Sequence, residues 1–224
     1  MSTRPVKQPG GVLMLSPLAC AHDNRGGDEG VNATGRPLRM VLTGGPGGGK
    51  TTAADLFRRE IGDRVVIVPE SATTLFAGGF PRPVDADAQR SLQRAIFEVQ
   101  RSLEDVQAAL YPDRILLCDR GTVDGAAYWP DGIDGFFEKM NSTRAAEMAR
   151  YDAVLFFETA AVGGMAFEGG NRYRTETNEE ALRLDHDLRV LWSAHPRFHL
   201  VPHNASFLHK ITVGLAILES VLAE

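Results

Sequence analysis

Residues 44–51 read Gly-Gly-Pro-Gly-Gly-Gly-Lys-Thr, which puts Gly44, Gly49, Lys50 and Thr51 at the spacing G-x-x-x-x-G-K-[ST]. The residue types imply a chemistry. Gly44, Gly45, Gly47, Gly48 and Gly49 let the chain curl around Pro46 with positive φ, so that successive backbone N–H groups converge. A helix beginning at Thr51 adds the partial positive charge of its N-terminus. Such a cradle suits the phosphates of a nucleoside triphosphate. Lys50 can reach the β- and γ-phosphates, and the Thr51 hydroxyl can take one position on Mg²⁺. Thr52 completes the phosphate-binding run and is not assigned to the metal.

The second half of such a site is an acid at the end of a neighbouring apolar strand, and Asp119 follows the run Ile115 to Cys118 in that position. Its expected task is to hold Mg²⁺ directly or through water. The next residue is Arg120, where many motor ATPases carry a glutamate that activates water, so a dedicated motor is disfavoured. Glu70 follows the apolar run Val65 to Val68 and should emerge at the same carboxyl edge of a sheet. There it can accept a proton from an attacking hydroxyl, or serve as a helix cap.

Residues 158–176 carry Gly163, Gly164, Gly169 and Gly170 and then Asn-Arg-Tyr-Arg-Thr-Glu. Glycines permit hinging, so the segment is expected to be a lid whose Arg172 and Arg174 reach the transferring phosphate. The two arginines could instead be a solvated basic patch paired with Glu176 and Glu179. His195, His199, His203 and His209 match no metal spacing. Tyr128 and Trp129 could stack on a flat substrate, but aromatic residues over a sheet more often belong to the core, and the two are not assigned to the site.

Positioning these groups requires a repeating strand-helix order. Leu38 to Thr43, Val65 to Val68, Ile115 to Cys118, Val154 to Phe157 and Phe198 to Val201 are short apolar runs that predict five buried strands. Between them, Thr51 to Ile61 predicts a helix closed by a left-handed Gly62, and a loop with Gly78, Gly79, Pro81 and Pro83 comes after the second strand. Leu92, Ile96, Val99, Leu103, Val106 and Leu110 recur at steps of four and three, which predicts a helix from about Ala86 to Leu110 with these six inward. A helix over Asn141 to Arg150 is also expected. Thr177 to Glu180 form a capping box that opens a helix to about Ala194, and Ser206 to Leu222 predicts a last helix with Ile211, Leu215, Leu218 and Leu222 inward. The alternation implies an α/β three-layer fold with a five-stranded, mainly parallel sheet.

The chain has 224 residues, 43% of them hydrophobic, enough for one substantial core. Residues 1–37 are rich in Gly, Pro and small polar residues and are expected to be a disordered tail ahead of a single domain, 38–224. With 24 basic against 29 acidic residues and a formal charge of -5, nucleic acid is not an expected partner. The apolar run Ile211 to Ala223 contains Glu219 and is too short to span a bilayer, so no transmembrane segment is expected. Cys118 reads as a buried thiol, and a cytoplasmic setting is expected.

The segments VLTGGPGGGKTT, VVIVPESATTLF, QRAIFEVQ, CDRGTVDGAAYWP and NRYRTET together resemble the NadR-like AAA-type ATPase domain. That group is related to nicotinamide riboside, thymidylate and deoxynucleoside kinases. The resemblance spans about Leu38 to Leu222. It implies a P-loop sheet of five parallel strands, ATP with Mg²⁺, and an arginine-bearing lid. On that pattern Gly44 to Thr52 hold phosphate, Glu70 and the Asp119-Arg120 pair face the reaction centre, and Arg172 and Arg174 belong to the lid. Pro202 to Ser206 lie where related kinases hold the purine base. There is no Asn-Lys-x-Asp guanine motif. The expected activity is transfer of the ATP γ-phosphate to a hydroxyl of a small nucleoside-like acceptor, with a slowly hydrolysing, nucleotide-dependent binding switch as the alternative.

Overall fold

The structure is a computed structural model that describes residues 30–164 and 177–223. Five parallel strands, β1 (Arg39–Thr43), β2 (Val65–Val68), β3 (Ile115–Asp119), β4 (Ala153–Phe157) and β5 (Phe198–Val201), lie in the order β2-β3-β1-β4-β5. β1 is central, and its carboxyl end borders both β3 and β4. Parallel pairing requires crossovers, which bury both faces of the sheet.

Side-chain alternation along the strands divides the core in two. Met40, Leu42, Leu117 and Phe157 pack under α1 (Lys50–Ile61) and α7 (Phe207–Leu222), with Phe57, Ile211 and Leu218 as the facing side chains. On the opposite face Val41, Cys118 and Val154 join Phe97, Trp129, Phe136 and Trp192. These come from α3 (Ala86–Leu110), the segment after β3, α4 (Ile133–Lys139) and α6 (Asn178–Trp192). The result is the three-layer P-loop architecture expected from the sequence. Trp129 lies in this core as expected.

Three short helices depart from the sequence expectation. α2 (Ser71–Ala77) and α4 are additional, and α5 (Arg144–Met148) occupies only the middle of the stretch 141–150. Gly62 caps α1 at φ 76° and ψ -145°, a positive φ outside the left-handed helical region. α6 begins at the expected capping box, in which Thr177 and Glu180 bond each other's backbone N–H.

The expected inward stripe of α3 needs correction. Val106 and Leu110 are 54% and 63% exposed, while the buried residues are Leu92, Gln93, Phe97, Gln100 and Glu104. The buried line is rotated relative to the apolar line because polar partners wait beneath it: Glu104 accepts from Tyr151, Arg39 and Arg150. These donors satisfy the carboxylate that burial takes out of water.

The tail boundary also shifts. Val31 bridges Pro37, and Asp152 accepts from Asn32 Nδ2 and from both terminal nitrogens of Arg36. Residues 30–37 are therefore folded onto the domain, because a half-buried carboxylate at the start of β4 gathers them. No helix among the described residues is long and apolar enough to cross a membrane.

Candidate active site

The glycine loop joins β1 to α1 at the carboxyl edge of the sheet. Gly44 adopts φ 124°, and a Cβ there would sit 2.1 Å from the Phe157 carbonyl oxygen, so only glycine fits. Gly49, at φ 87°, is the N-cap of α1.

Several carbonyls of this loop are held by side chains. Lys50 Nζ donates to the Gly44 and Gly45 oxygens at 2.8 Å each. Thr159 Oγ1 donates to the Pro46 oxygen at 2.5 Å, and Lys210 Nζ donates to the Gly48 oxygen at 2.9 Å. No peptide bond among the described residues is cis. In a trans peptide the C=O and the following N–H point in opposite directions, so pinning the Pro46 and Gly48 oxygens turns the Gly47 and Gly49 N–H groups the other way. Two loop amides are taken by the protein itself: Gly48 N–H donates to the Gly45 oxygen at 3.3 Å, and Gly45 N–H donates to Asp185, which also accepts from Thr159 N–H, at 2.9 and 2.8 Å.

At the end of β3, Asp119 Oδ2 accepts from Thr51 Oγ1 at 2.7 Å. Burial raises the Asp119 pKa, and the nearby Glu70 carboxylate raises it further, against the pull of Thr51, Lys50 and Arg120. A hard cation beside these two oxygens would relieve that cost, so the donor set suits Mg²⁺. Among the described residues no group of three or more His, Cys, Asp and Glu side chains could hold a metal alone.

Glu70 is the N-cap residue of α2 but makes no side-chain cap bond. Its carboxylate turns across the cleft instead. Oε1 accepts from Arg120 Nε at 2.8 Å and Oε2 from Thr73 Oγ1 at 2.5 Å. Burial pushes its pKa up, but Arg120, Thr73 and Lys50 outweigh this, and the net shift is downward. Glu70 is thus ionised at neutral pH.

Arg120 has φ 78°, an uncommon backbone conformation for a residue with a Cβ, typically costing about 1 kcal/mol or more. Hydrogen bonds to β1, to α3 and to the residues just after Arg120 hold it in this turn. Arg120 N–H donates to Leu42, its carbonyl accepts from Gln100, and its guanidinium also reaches Asp124 Oδ2 at 3.0 Å. Asp124 accepts in addition from Thr43 Oγ1 and from Trp192 Nε1. One buried carboxylate so ties β1, α6 and the Arg120 turn together.

Beside the loop opens a cavity of about 450 Å³, lined among others by Pro46, Glu70, Phe76, Arg82, Gln93, Arg120 and Tyr128. Gln93 is 9% exposed and its side-chain amide makes no hydrogen bond among the described residues, whereas the Gln100 amide is engaged with Ser71, Glu104 and Arg120. Tyr128, expected in the core, is instead part of this wall.

Lys50, Glu70, Asp119 and Arg120 thus meet at one edge, together with Gly44 to Thr51. Arg172 and Arg174 lie outside the described residues, as does the greater part of the expected lid. The sequence reading missed Asp124, Asp185, Thr159, Lys210 and the cavity role of Gln93. For Lys210 a signal existed: it shares a helical stripe with Gly214 and Leu218 on an apolar helix, so a lysine there must face inward.

Parallel strand order, a phosphate-type loop after the central strand and two acids at the sheet edge define the class of P-loop kinase-like domains. Within it, the chain belongs to the AAA domain family, whose model matches residues 39–206. No curated protein matches the sequence. Among solved structures, a deoxyadenosine kinase from M. mycoides with bound dATP superposes with a TM-score of 0.59 at 13% identity, covering 81% of this chain and 99% of its own. A thymidylate kinase from Ehrlichia chaffeensis gives 0.51 at 17% identity, covering 83% and 98%. These similarities establish the fold.

Proposed function

We propose that the chain binds ATP with Mg²⁺ and transfers the γ-phosphate to a hydroxyl of a small, nucleoside-like acceptor. The observation that carries this reading is the position of the Glu70-Arg120 pair, which lines a ligand-sized cavity bordered by Pro46 of the glycine loop. Solved structures with this fold include the M. mycoides deoxyadenosine kinase, once with dATP bound and once with the products dCMP and dCDP.

In this reading the loop amides and Lys50 hold the phosphates. Thr51 and Asp119 would hold Mg²⁺, which offsets the charge of the triphosphate when bound. Glu70 takes the proton of the acceptor hydroxyl as its oxygen bonds to the γ-phosphorus. The bond from that phosphorus to the bridging oxygen breaks, and ADP departs. Arg120 keeps the Glu70 carboxylate ionised and aimed at the cavity, and Arg172 and Arg174 bring further positive charge to the transferring group. The Gln93 amide supplies a donor and an acceptor for a polar ring edge.

The test is phosphate transfer from γ-labelled ATP to a panel of nucleosides, nucleoside monophosphates and other hydroxyl metabolites. A labelled acceptor product, lost in Lys50→Ala, is the expected result. Slow ATP consumption unaffected by every acceptor would overturn it in favour of a nucleotide-dependent binding switch.

A further inference from the structure

We infer that Lys210 is a positioning residue for triphosphate binding, aiming the Gly49 N–H into the phosphate site by holding the Gly48 carbonyl. The inference rests on the nucleotide-binding reading above and adds to it a residue outside the glycine-lysine motif.

Lys210 stands in the first turn of α7, only 4% exposed, and does not line the cavity. Its ammonium donates to the Gly48 oxygen at 2.9 Å and to the Glu158 carbonyl oxygen at 2.5 Å, joining the loop to the end of β4. The peptide it grips lies between Gly48 and Gly49. Two glycines flank that peptide, so nothing intrinsic prevents it from rotating and turning its N–H away. Gly49 is the N-cap of α1, where the helix offers its free N–H groups and partial positive charge to an anion. Fixing the carbonyl inward fixes the N–H outward. Lys50 grips the loop at a different place, the Gly44 and Gly45 carbonyls.

The surroundings make the device sensitive to pH. Burial lowers the Lys210 pKa to about 8, against the opposing pull of Asp185 from α6 and Glu158 from the end of β4. Glu158 is itself bonded by Arg189 and by the His203 N–H from the loop after β5. Lys50 from α1 grips the same loop, and His209 on the same helix is exposed. A neutral amine is a weaker donor than an ammonium and brings no charge to the phosphate site. Triphosphate affinity should therefore fall as pH rises through about 8. The sign for stability is opposite. A lysine whose folded pKa lies below its unfolded value opposes folding while charged, so its deprotonation favours the ligand-free fold.

MgATP affinity of the full chain, measured calorimetrically from about pH 7.5 to about pH 9.5, tests this. Wild type should weaken about fivefold to tenfold across the range, while its ligand-free melting temperature shows no parallel fall. Lys210→Arg, which keeps charge and donors, should bind as wild type does at the lower pH and stay level to the upper. Lys210→Met should bind weakly throughout. Equal weakening in wild type and Lys210→Arg, or a level wild-type profile, overturns the inference. Those outcomes leave nucleotide binding itself intact, whereas no MgATP binding by wild type at any pH overturns both readings. The Lys210→Arg comparison decides the matter even where Lys210→Met fails to fold.

Discussion

Around the glycine loop the groups offered to a ligand are chiefly backbone amides, whereas across the cleft they are the side chains of Glu70 ahead of α2, Arg120 after β3 and Gln93 on α3. The two sides differ in how they are held. Loop amides are aimed indirectly, by pins on their carbonyls from Lys50, Thr159 and Lys210. The opposite wall is aimed directly, by a chain of charged hydrogen bonds from Glu70 through Arg120 to Asp124 and Trp192. In a backbone cradle several amides share the anion, so losing one pin on the loop weakens affinity without removing a reacting group. A side-chain wall assigns one task to one residue. Substitutions should accordingly split into those that move affinity and those that move turnover.

The largest effect should come from the wall. Glu70→Gln keeps the size of the side chain and a hydrogen-bonding oxygen but removes the base, so transfer should slow by about 10² to 10⁴ while ATP affinity stays within a few-fold. Wild-type transfer rates with a verified acceptor would place the base elsewhere.

Asp119→Asn should weaken MgATP binding by about tenfold to a hundredfold, since one charge opposite the cation is lost. It should do so without lowering the melting temperature of the ligand-free chain. The raised pKa of Asp119 means that its ionised form opposes folding, a cost that sets in as pH rises through its unfolded value. A clear drop in melting temperature would show that its carboxylate is structural.

Gln93→Leu should raise the acceptor KM by about tenfold, the usual effect of losing one buried polar contact, with the ATP KM unchanged. A change in ATP KM alone would put the cavity on the nucleotide side. The smallest effect belongs to a region outside both walls: Arg36→Ala should cost about 0.5–1 kcal/mol in denaturant unfolding, because its pairing with Asp152 is partly exposed. Nucleotide affinity should not move. A loss of affinity would mean that residues 30–37 bear on the cleft.

The elements most legible in the sequence were those with local causes. The five strands are short apolar runs bounded by turn residues, and their observed limits differ from the expected ones by at most one residue. The glycine loop announces itself because its function depends on the near absence of side chains over a few adjacent positions. The capping box at Thr177 is likewise complete within four residues. By contrast the inward face of α3 was misjudged. Periodicity ranks residues by apolarity, and here buried polar residues, Gln100 and Glu104, take places that exposed Val106 and Leu110 would have claimed.

The cleft shows the same division at a longer range. Asp119 and Glu70 could be placed at the sheet edge because each closely follows an apolar run, which fixes its height along the strand direction. That Glu70 ignores its capping position for Arg120 could not be read, since the two are 50 residues apart and meet only because β2 pairs with β3. Asp124, Asp185 and Lys210 serve partners 68, 140 and 162 residues away. Sequence alone determined the alternation of elements, the phosphate-type loop and the carboxylates at the sheet edge, because hydrophobic burial and backbone geometry act over a few neighbouring residues. Tertiary structure decided which side chains pin the loop and which face the cavity, because desolvated charges choose partners by proximity in the packed chain, and no local pattern encodes that proximity.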